Sequence, residues 1–356
     1  MEIHRRIVEL IDSGRRFALS LILEAEGSTP RDAGVKAIID EDGRISGTLG
    51  GGLVEAEAQR RAVEACQSNR PVVYDVNLQG VPAGDGAAVC GGRMRILIDP
   101  TAARHRDCYH HAAEALRDRK RGVLLTTVRS GDPPHVNVKW YTQDSIPPDA
   151  DFPGTKAIRS CLARETCRLY VETSDDTEAR REVLVEPVIP QPRLLIVGGG
   201  HVGQALARQA ALVAFDITVI DDRPEFTEPA LFPEGVTTRY GDIGKEVAAC
   251  PIAEDTYVVV VTRAHSHDAE ALEACIHAPA AYIGMIGSRR KVALIRKHFI
   301  ESGLATQEQF DRVFAPVGLD IGAVTVPEIA TSIVAQLVAV RRKTGAYARA
   351  GDMAFP

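Results

Sequence analysis

One cysteine stands among four glycines in "GDGAAVCGGRMRILIDP", where Cys90 precedes Gly91 and Gly92 and an apolar, strand-like run follows. Glycine has no Cβ, so the main chain there can take turns closed to other residues and a ligand can come close. Two readings stay open. Cys90 is a small apolar residue in a loop, as free cysteines commonly are. Alternatively it is a catalytic thiol exposed beside a bound substrate, with Gly91 and Gly92 lining the approach.

A second stretch, "LLIVGGGHVGQAL", sets Gly198, Gly200 and Gly203 at the spacing G-x-G-x-x-G between a buried strand and a helix. In that arrangement the first glycine makes a tight turn, the second admits a pyrophosphate and the third lets helix and strand pack closely. Gly199 and His201 complete the turn, and the helix start offers unpaired N–H groups and a favourable dipole to phosphate. The next strand ends at Asp221, about twenty residues on, where an acid that holds a ribose belongs. These residues predict a Rossmann domain that binds a nucleotide, or one that keeps the geometry and binds something else.

Two further loops follow strands of the same region. "VVVTRAHSHDAEAL" places Arg263, His265, His267 and Asp268 after a strand. The histidine pair either chelates a metal or belongs to a solvated loop with a helix cap at Ser266 or Asp268; no metal ligand is assigned. "IGMIGSRRKVALI" puts Ser288 at a helix start, followed by Arg289, Arg290 and Lys291. That pattern suits a phosphate or a solvated basic face. Nearer the N-terminus, "SGTLGGGLVEAEA" holds Gly50, Gly51 and Gly52 before a helix, a nest of N–H donors for an anion. Glu55, in the first turn, also complements the helix dipole.

The elements that must position these residues read differently in the two halves. "MEIHRRIVELIDSG" is amphipathic, with Ile3, Ile7, Leu10 and Ile11 interleaved with charges, and lacks the unbroken apolar core of a signal peptide. A buried strand follows, then a hairpin about Asp42-Gly43, then a helix with Val54, Ala58, Ala62 and Ala65 on one face. Strands "PVVYDVNL" and "RMRILIDP" bracket Cys90. Residues 101–190 are less legible, and "VEPVIPQPR", with three prolines in nine residues, reads as a linker. From Arg193 on, Val/Ile/Leu runs alternate with amphipathic helices, the pattern of a parallel sheet covered on both faces.

At 356 residues the chain exceeds one typical core. Its 45% hydrophobic and 25% charged content is that of an ordinary globular protein, and a net charge of −6 gives no global basic field for nucleic acid. No run approaches the ~18 apolar residues of a membrane span. The seven cysteines, with no Cys-x-x-Cys pair, are expected to be free thiols in a reducing cytoplasm.

On these residues the sequence resembles the XdhC/CoxI family, the xanthine dehydrogenase accessory factors. The resemblance rests on "GSTPRDAG", "DGRISGTLGGGLVEA" and "CGGRMRILID" in the first half. In the second it rests on "RLLIVGGGHVG", "VIDDRPEF", "VVVVTRAHSHD", "YIGMIGSRRK" and "VGLDIGAVTVPEIA". It implies a chaperone-like role in maturing molybdenum hydroxylases: binding the molybdenum cofactor (molybdopterin), supporting exchange of an oxo for a sulfido ligand, and delivery to the apo-enzyme. Cys90 matches the family's Cys-Gly-Gly position, Gly50, Gly51, Gly52 and Glu55 its glycine loop and following acid, and Gly198, Gly200, Gly203 and Asp221 its Rossmann fingerprint. Many members carry a cysteine after the first glycine loop; here that position is Leu53.

The expectation is therefore an α/β protein, an N-terminal α/β module over 1–190 and a Rossmann-like, doubly wound parallel sheet over 191–356. Cys90 is the candidate catalytic thiol. Gly50, Gly51, Gly52, Glu55, Gly91, Gly92, Gly198, Gly199, Gly200, His201, Gly203, Asp221, Arg263, Ser288 and Arg289 are the candidate cofactor-binding residues. The expected partners are a molybdenum hydroxylase apo-enzyme, a cysteine desulfurase and a second copy in a homodimer, with no nucleic acid. The alternatives are an NAD(P)-dependent oxidoreductase using the C-terminal domain, or an interaction scaffold.

Overall fold

The computed structural model describes residues 2–78, 91–173 and 180–342. They form two compact units, Met1–Pro190 and Gln191–Pro356.

The first unit runs α1 (Glu2–Asp12), β1 (Phe17–Glu26), β2 (Lys36–Asp40), β3 (Ile45–Gly47), α2 (Gly52–Ser68), β4 (Val72–Asn77) and β5 (Arg93–Asp99). It continues through α3 (Arg106–Arg117), β6 (Gly122–Arg129), β7 (His135–Thr142), α4 (Thr155–Arg164), β8 (Arg168–Thr173) and β9 (Arg180–Val188). The strands make two antiparallel sheets, ordered β3-β2-β1-β5-β4 and β7-β6-β9-β8. The two-residue alternation of a strand sends successive side chains of β1 to opposite faces. Ala18 and Ile22 meet Val54, Ala58 and Ala62 of α2, whereas Leu21 and Leu23 meet Val128, Val136 and Leu184 of the second sheet. That second sheet buries Val123, Leu125 and Val183 under Ile158 and Leu162 of α4. The layers are thus helix, sheet, sheet, helix, with α1 and α3 closing one side around Ile7, Leu10 and Tyr109. Residues 101–190 supply a complete sheet of their own.

The proline-rich stretch is a correction to the sequence reading, because residues 185–188 belong to β9 and only 189–192 lie between strands. Pro187 pairs with Val123 on the β6 side, while β8 pairs with β9 only as far as Val185. The missing proline N–H therefore falls where the ladder has already ended.

The second unit runs β10 (Arg193–Val197), α5 (His201–Leu212), β11 (Asp216–Asp221), β12 (Thr237–Tyr240), α6 (Ile243–Ala248), β13 (Thr256–Val260) and α7 (His265–Cys275). Then follow β14 (Tyr282–Met285), α8 (Arg289–Glu301), α9 (Gln307–Asp311), β15 (Val313–Phe314) and α10 (Val326–Arg341). All six strands are parallel, in the order β12-β11-β10-β13-β14-β15. Counted within the unit this is the doubly wound Rossmann order, which reverses between β10 and β13. Leu195, Val197, Val258 and Val260 face one core, and Leu194, Ile196, Tyr257 and Val259 the other. Helices cover both faces, which is why the strands read as unbroken apolar runs. No helix among the described residues is long and apolar enough to cross a membrane.

Candidate functional site

The carboxyl ends of the parallel strands, at the order reversal, are where such sheets receive ligands. Gly198 follows β10 at φ +119°, where a Cβ would strike the backbone of Val261 and Thr262. A Cβ on Gly199 would meet the carbonyl of Phe226, and one on Gly203 the carbonyl of Gly198. Gly200 differs: its nearest neighbour would be Nη2 of Arg223, at 4.0 Å. So three of the four glycines are required by packing, and only Gly200 faces open space. It caps α5, whose first amides, beginning at the exposed His201, have no acceptor within the helix.

Asp221 ends β11 with its side chain almost wholly buried. Oδ2 accepts the Gly199 N–H at 2.8 Å and Nη2 of Arg223 at 3.0 Å; Oδ1 accepts the Arg223 N–H at 3.0 Å and its Nε at 2.9 Å. Burial opposes the charged form, but the Arg223 hydrogen bonds, the Gly199 N–H and the guanidinium charge outweigh it and hold the carboxyl below the usual aspartate range. Arg223 lies over the Phe226 ring, 3.7 Å from its centroid. Asp221 thus locks the glycine turn and aims Arg223.

The next acid, Asp222, is more exposed. Its Oδ2 lies 3.2 Å from Nη2 of Arg263 and 3.7 Å from Nδ1 of His267. Asp268 is fully buried, accepts the Thr262 hydroxyl at 2.6 Å and forms an ion pair with Lys291. The helix cap that the sequence placed at Ser266 or Asp268 is Ala264, whose side chain makes no capping bond; Asp268 lies in the first turn of α7 instead. Ser288 does cap α8, its hydroxyl accepting the Lys291 N–H at 3.2 Å, and Arg289 opens that helix, exposed. Arg223, Arg263, Ser288, Arg289 and the α5 amides therefore follow the carboxyl ends of β10, β11, β13 and β14. Asp222 was not singled out from sequence, and Asp268 and Lys291 were named there but not as partners. The doubled acid in "VIDDRPEF" was the available signal for Asp222.

In the first unit the glycine loop is strongly curved: Gly50, Gly51 and Gly52 have φ of +113°, +80° and +56°. The Leu49, Gly50 and Gly51 N–H groups are already taken, which corrects the expectation of a fully open anion nest. Oε1 of Glu55 accepts the Leu49 and Gly51 N–H groups, both at 2.9 Å, and the Thr48 hydroxyl at 2.5 Å. The Gly50 N–H donates to Thr48 at 3.1 Å. Desolvation disfavours the Glu55 carboxylate, yet the bonds from Thr48, Gly51 and Leu49 prevail and keep its pKa lowered. The nest holds an anion, and that anion is the chain's own. Beside it opens a cleft of about 740 Å³ with Arg5, Arg6, Arg31, Lys36 and Thr48 in its walls. Leu53, which follows the glycine loop, is 61% exposed. Gly92 is wedged against the Glu26 and Ser28 carbonyls, whereas Gly91 borders open space. Cys90 lies outside the described residues; the six described cysteines are free.

Residues 10–77 match the profile of the XdhC and CoxI family, and residues 194–337 that of the XdhC Rossmann domain. The chain belongs to the XdhC/CoxI family. It is 28% identical to the Escherichia coli protein described as uncharacterized YqeB, over 96% of this chain but 46% of that one, so it spans about half of that relative. It is 25% identical to the molybdenum cofactor insertion chaperone PaoD of E. coli, over 95% of this chain and 89% of PaoD. A Bacillus subtilis protein described as a probable xanthine dehydrogenase subunit is 23% identical, with 96% of this chain and 98% of that one covered. The crystal structure of a Bacillus halodurans protein described as a xanthine dehydrogenase shares the fold, at a TM-score of 0.74 and 23% identity, covering 95% of this chain and 96% of that one.

Proposed function

We propose that this XdhC/CoxI protein is an accessory factor that holds the molybdenum cofactor as cargo and passes it to a xanthine dehydrogenase-type apo-enzyme. The observation that carries the reading is the set of residues at the carboxyl ends of the parallel strands of the second unit. It has a glycine turn held by Asp221, open space at Gly200 and cations Arg223, Arg263 and Arg289, a fit for the phosphate of a pterin cofactor or its nucleotide form. The kinship with an insertion chaperone supports the maturation role. On this reading Cys90 handles sulfur received from a cysteine desulfurase, and the factor works in the cytoplasm as a homodimer.

A nicotinamide-dependent oxidoreductase is less well supported. All four hydrogen bonds of Asp221 are spent inside the protein, so the acid expected to hold a ribose is not free to do so. The deciding experiment purifies the protein from a molybdenum-replete host and measures bound molybdenum, pterin and nucleotide. Retained pterin that falls at least tenfold in Arg223→Gln supports the reading. Steady NAD(P)H oxidation by the metal-free protein would replace it with the oxidoreductase.

A further inference from the structure

The outer face of the second sheet in the first unit places like charges side by side. The registers align Glu172 of β8, Arg181 of β9, Arg129 of β6 and His135 of β7 in one row across four strands. Directly opposed like charges destabilise a strand pair. Arg181 is ion-paired with the exposed Asp151 at 2.8 Å and lies 3.6 Å from Glu172. Arg129 and His135 have no ion pair or side-chain hydrogen bond among the described residues, and neither has Lys139, two rows along on β7, although its charge acts on Asp151. The intervening row is Thr127 beside Asn137, polar side chains that also lack a partner among the described residues. These groups line a cavity of about 290 Å³, roofed by the 147–152 segment and walled on its apolar side by Leu125, Tyr141 and Phe152. Of its two lining carboxylates, Asp151 is engaged by Arg181 and Asp149 has no ion pair among the described residues. The Nε of Arg181 is buried without a hydrogen-bond partner.

We infer that this cavity is a binding site, separate from the strand ends of the second unit, for a small organic anion: a carboxylate or phosphate carried on a compact planar body. Arg129 and Lys139 meet the anionic head, which relieves the opposition of Arg129 to Arg181. Thr127 and Asn137 hydrogen-bond it, and Tyr141 and Phe152 take the ring. The volume stands at the small end of ligand pockets, so it suits a single substituted ring and not a dinucleotide. The site lies within residues 101–190, which neither family profile covers.

Titration calorimetry of the full chain at low salt, with phenyl phosphate, benzoate and inorganic phosphate, tests this. One ringed anion should bind saturably, and the better of the two identifies the head group. Arg129→Gln should weaken it about tenfold, the scale of one charge-assisted hydrogen bond. Phe152→Ala should weaken the ringed anions and leave inorganic phosphate unchanged. Without ligand, Arg129→Gln should melt no lower than the parent, since it removes one of two opposed charges. The inference would be overturned by no saturable binding at millimolar ligand, by equal binding of Arg129→Gln and the parent, or by a less stable ligand-free Arg129→Gln. Binding abolished by Arg223→Gln but not by Arg129→Gln would also overturn it, assigning the anion to the second unit.

Discussion

Asp221 receives Arg223 through both carboxylate oxygens, at 2.9 and 3.0 Å, while its Oδ2 also accepts the Gly199 N–H. One buried acid therefore fixes both the phosphate-facing turn and the cation beside it. Asp221→Asn should cost about 1.5–3 kcal/mol in urea denaturation at neutral pH, the range for hydrogen bonds to a charged group. The carboxyl is held below its ordinary range, so its contribution is complete above the unfolded aspartate pKa and is lost as pH falls through the lowered folded value. The acid limb of the stability curve should be shallower in the asparagine variant; superimposable limbs would show that Asp221 does not govern it.

Glu55 fills the glycine loop that the sequence offers to a ligand. Removing its carboxylate in Glu55→Ala leaves the Leu49 and Gly51 N–H groups without an acceptor, so the melting temperature should fall. Added acetate should recover part of the loss by occupying the vacated nest, and chloride at equal ionic strength should recover less. Identical curves in the two salts would mean that the loop has collapsed.

Gly200 and Gly203 share a motif but should part under mutation. Gly203→Ala drives a methyl into the Gly198 carbonyl and should cost about 1–3 kcal/mol, as overpacking does. Gly200 has φ −67° and open space, so Gly200→Ala should stay within about 0.5 kcal/mol of the parent while weakening retention of a phosphate-bearing ligand. Urea denaturation and bound-pterin analysis read the two effects separately.

The thiols should differ sharply in reactivity. Burial pushes Cys66 up to about 11, and Cys167 and Cys275 up to about 12, and the thiolate is the nucleophile. In native protein at pH 8 these three should resist a disulfide reagent that labels them after unfolding. Leu53→Cys should add a rapidly labelled thiol without loss of stability, because residue 53 stands exposed at the helix start.

Much of the Rossmann unit was legible because its signals are local. The strand and helix flanking the glycines correspond to β10 and α5, and "DITVID" is β11, each set by an unbroken apolar run or a helical period. The chemistry of the glycine loops was less legible, since a loop donor's partner is set by tertiary position. Nothing in "GGGLVEA" says that Glu55 turns back onto the amides preceding it, and nothing around Asp221 says that Arg223 closes on it. In 101–190 the strand "GVLLTTVRS" is legible, but whether it joins the first sheet or another is not, because that is decided by β9, some fifty residues on, pairing with both β6 and β8.

β1 belongs to three apolar clusters at once. Ala18 and Ile22 join the core under α2, Phe17 and Leu19 that beside α1 and α3, and Leu21 and Leu23 that between the sheets. Withdrawing this strand would open all three together, whereas the cluster under α4 contains no β1 residue. Residues 101–190, although outside both family profiles, are therefore not a removable insertion: Val128, Val136 and Leu184 of their sheet are the other wall of the core formed by Leu21 and Leu23.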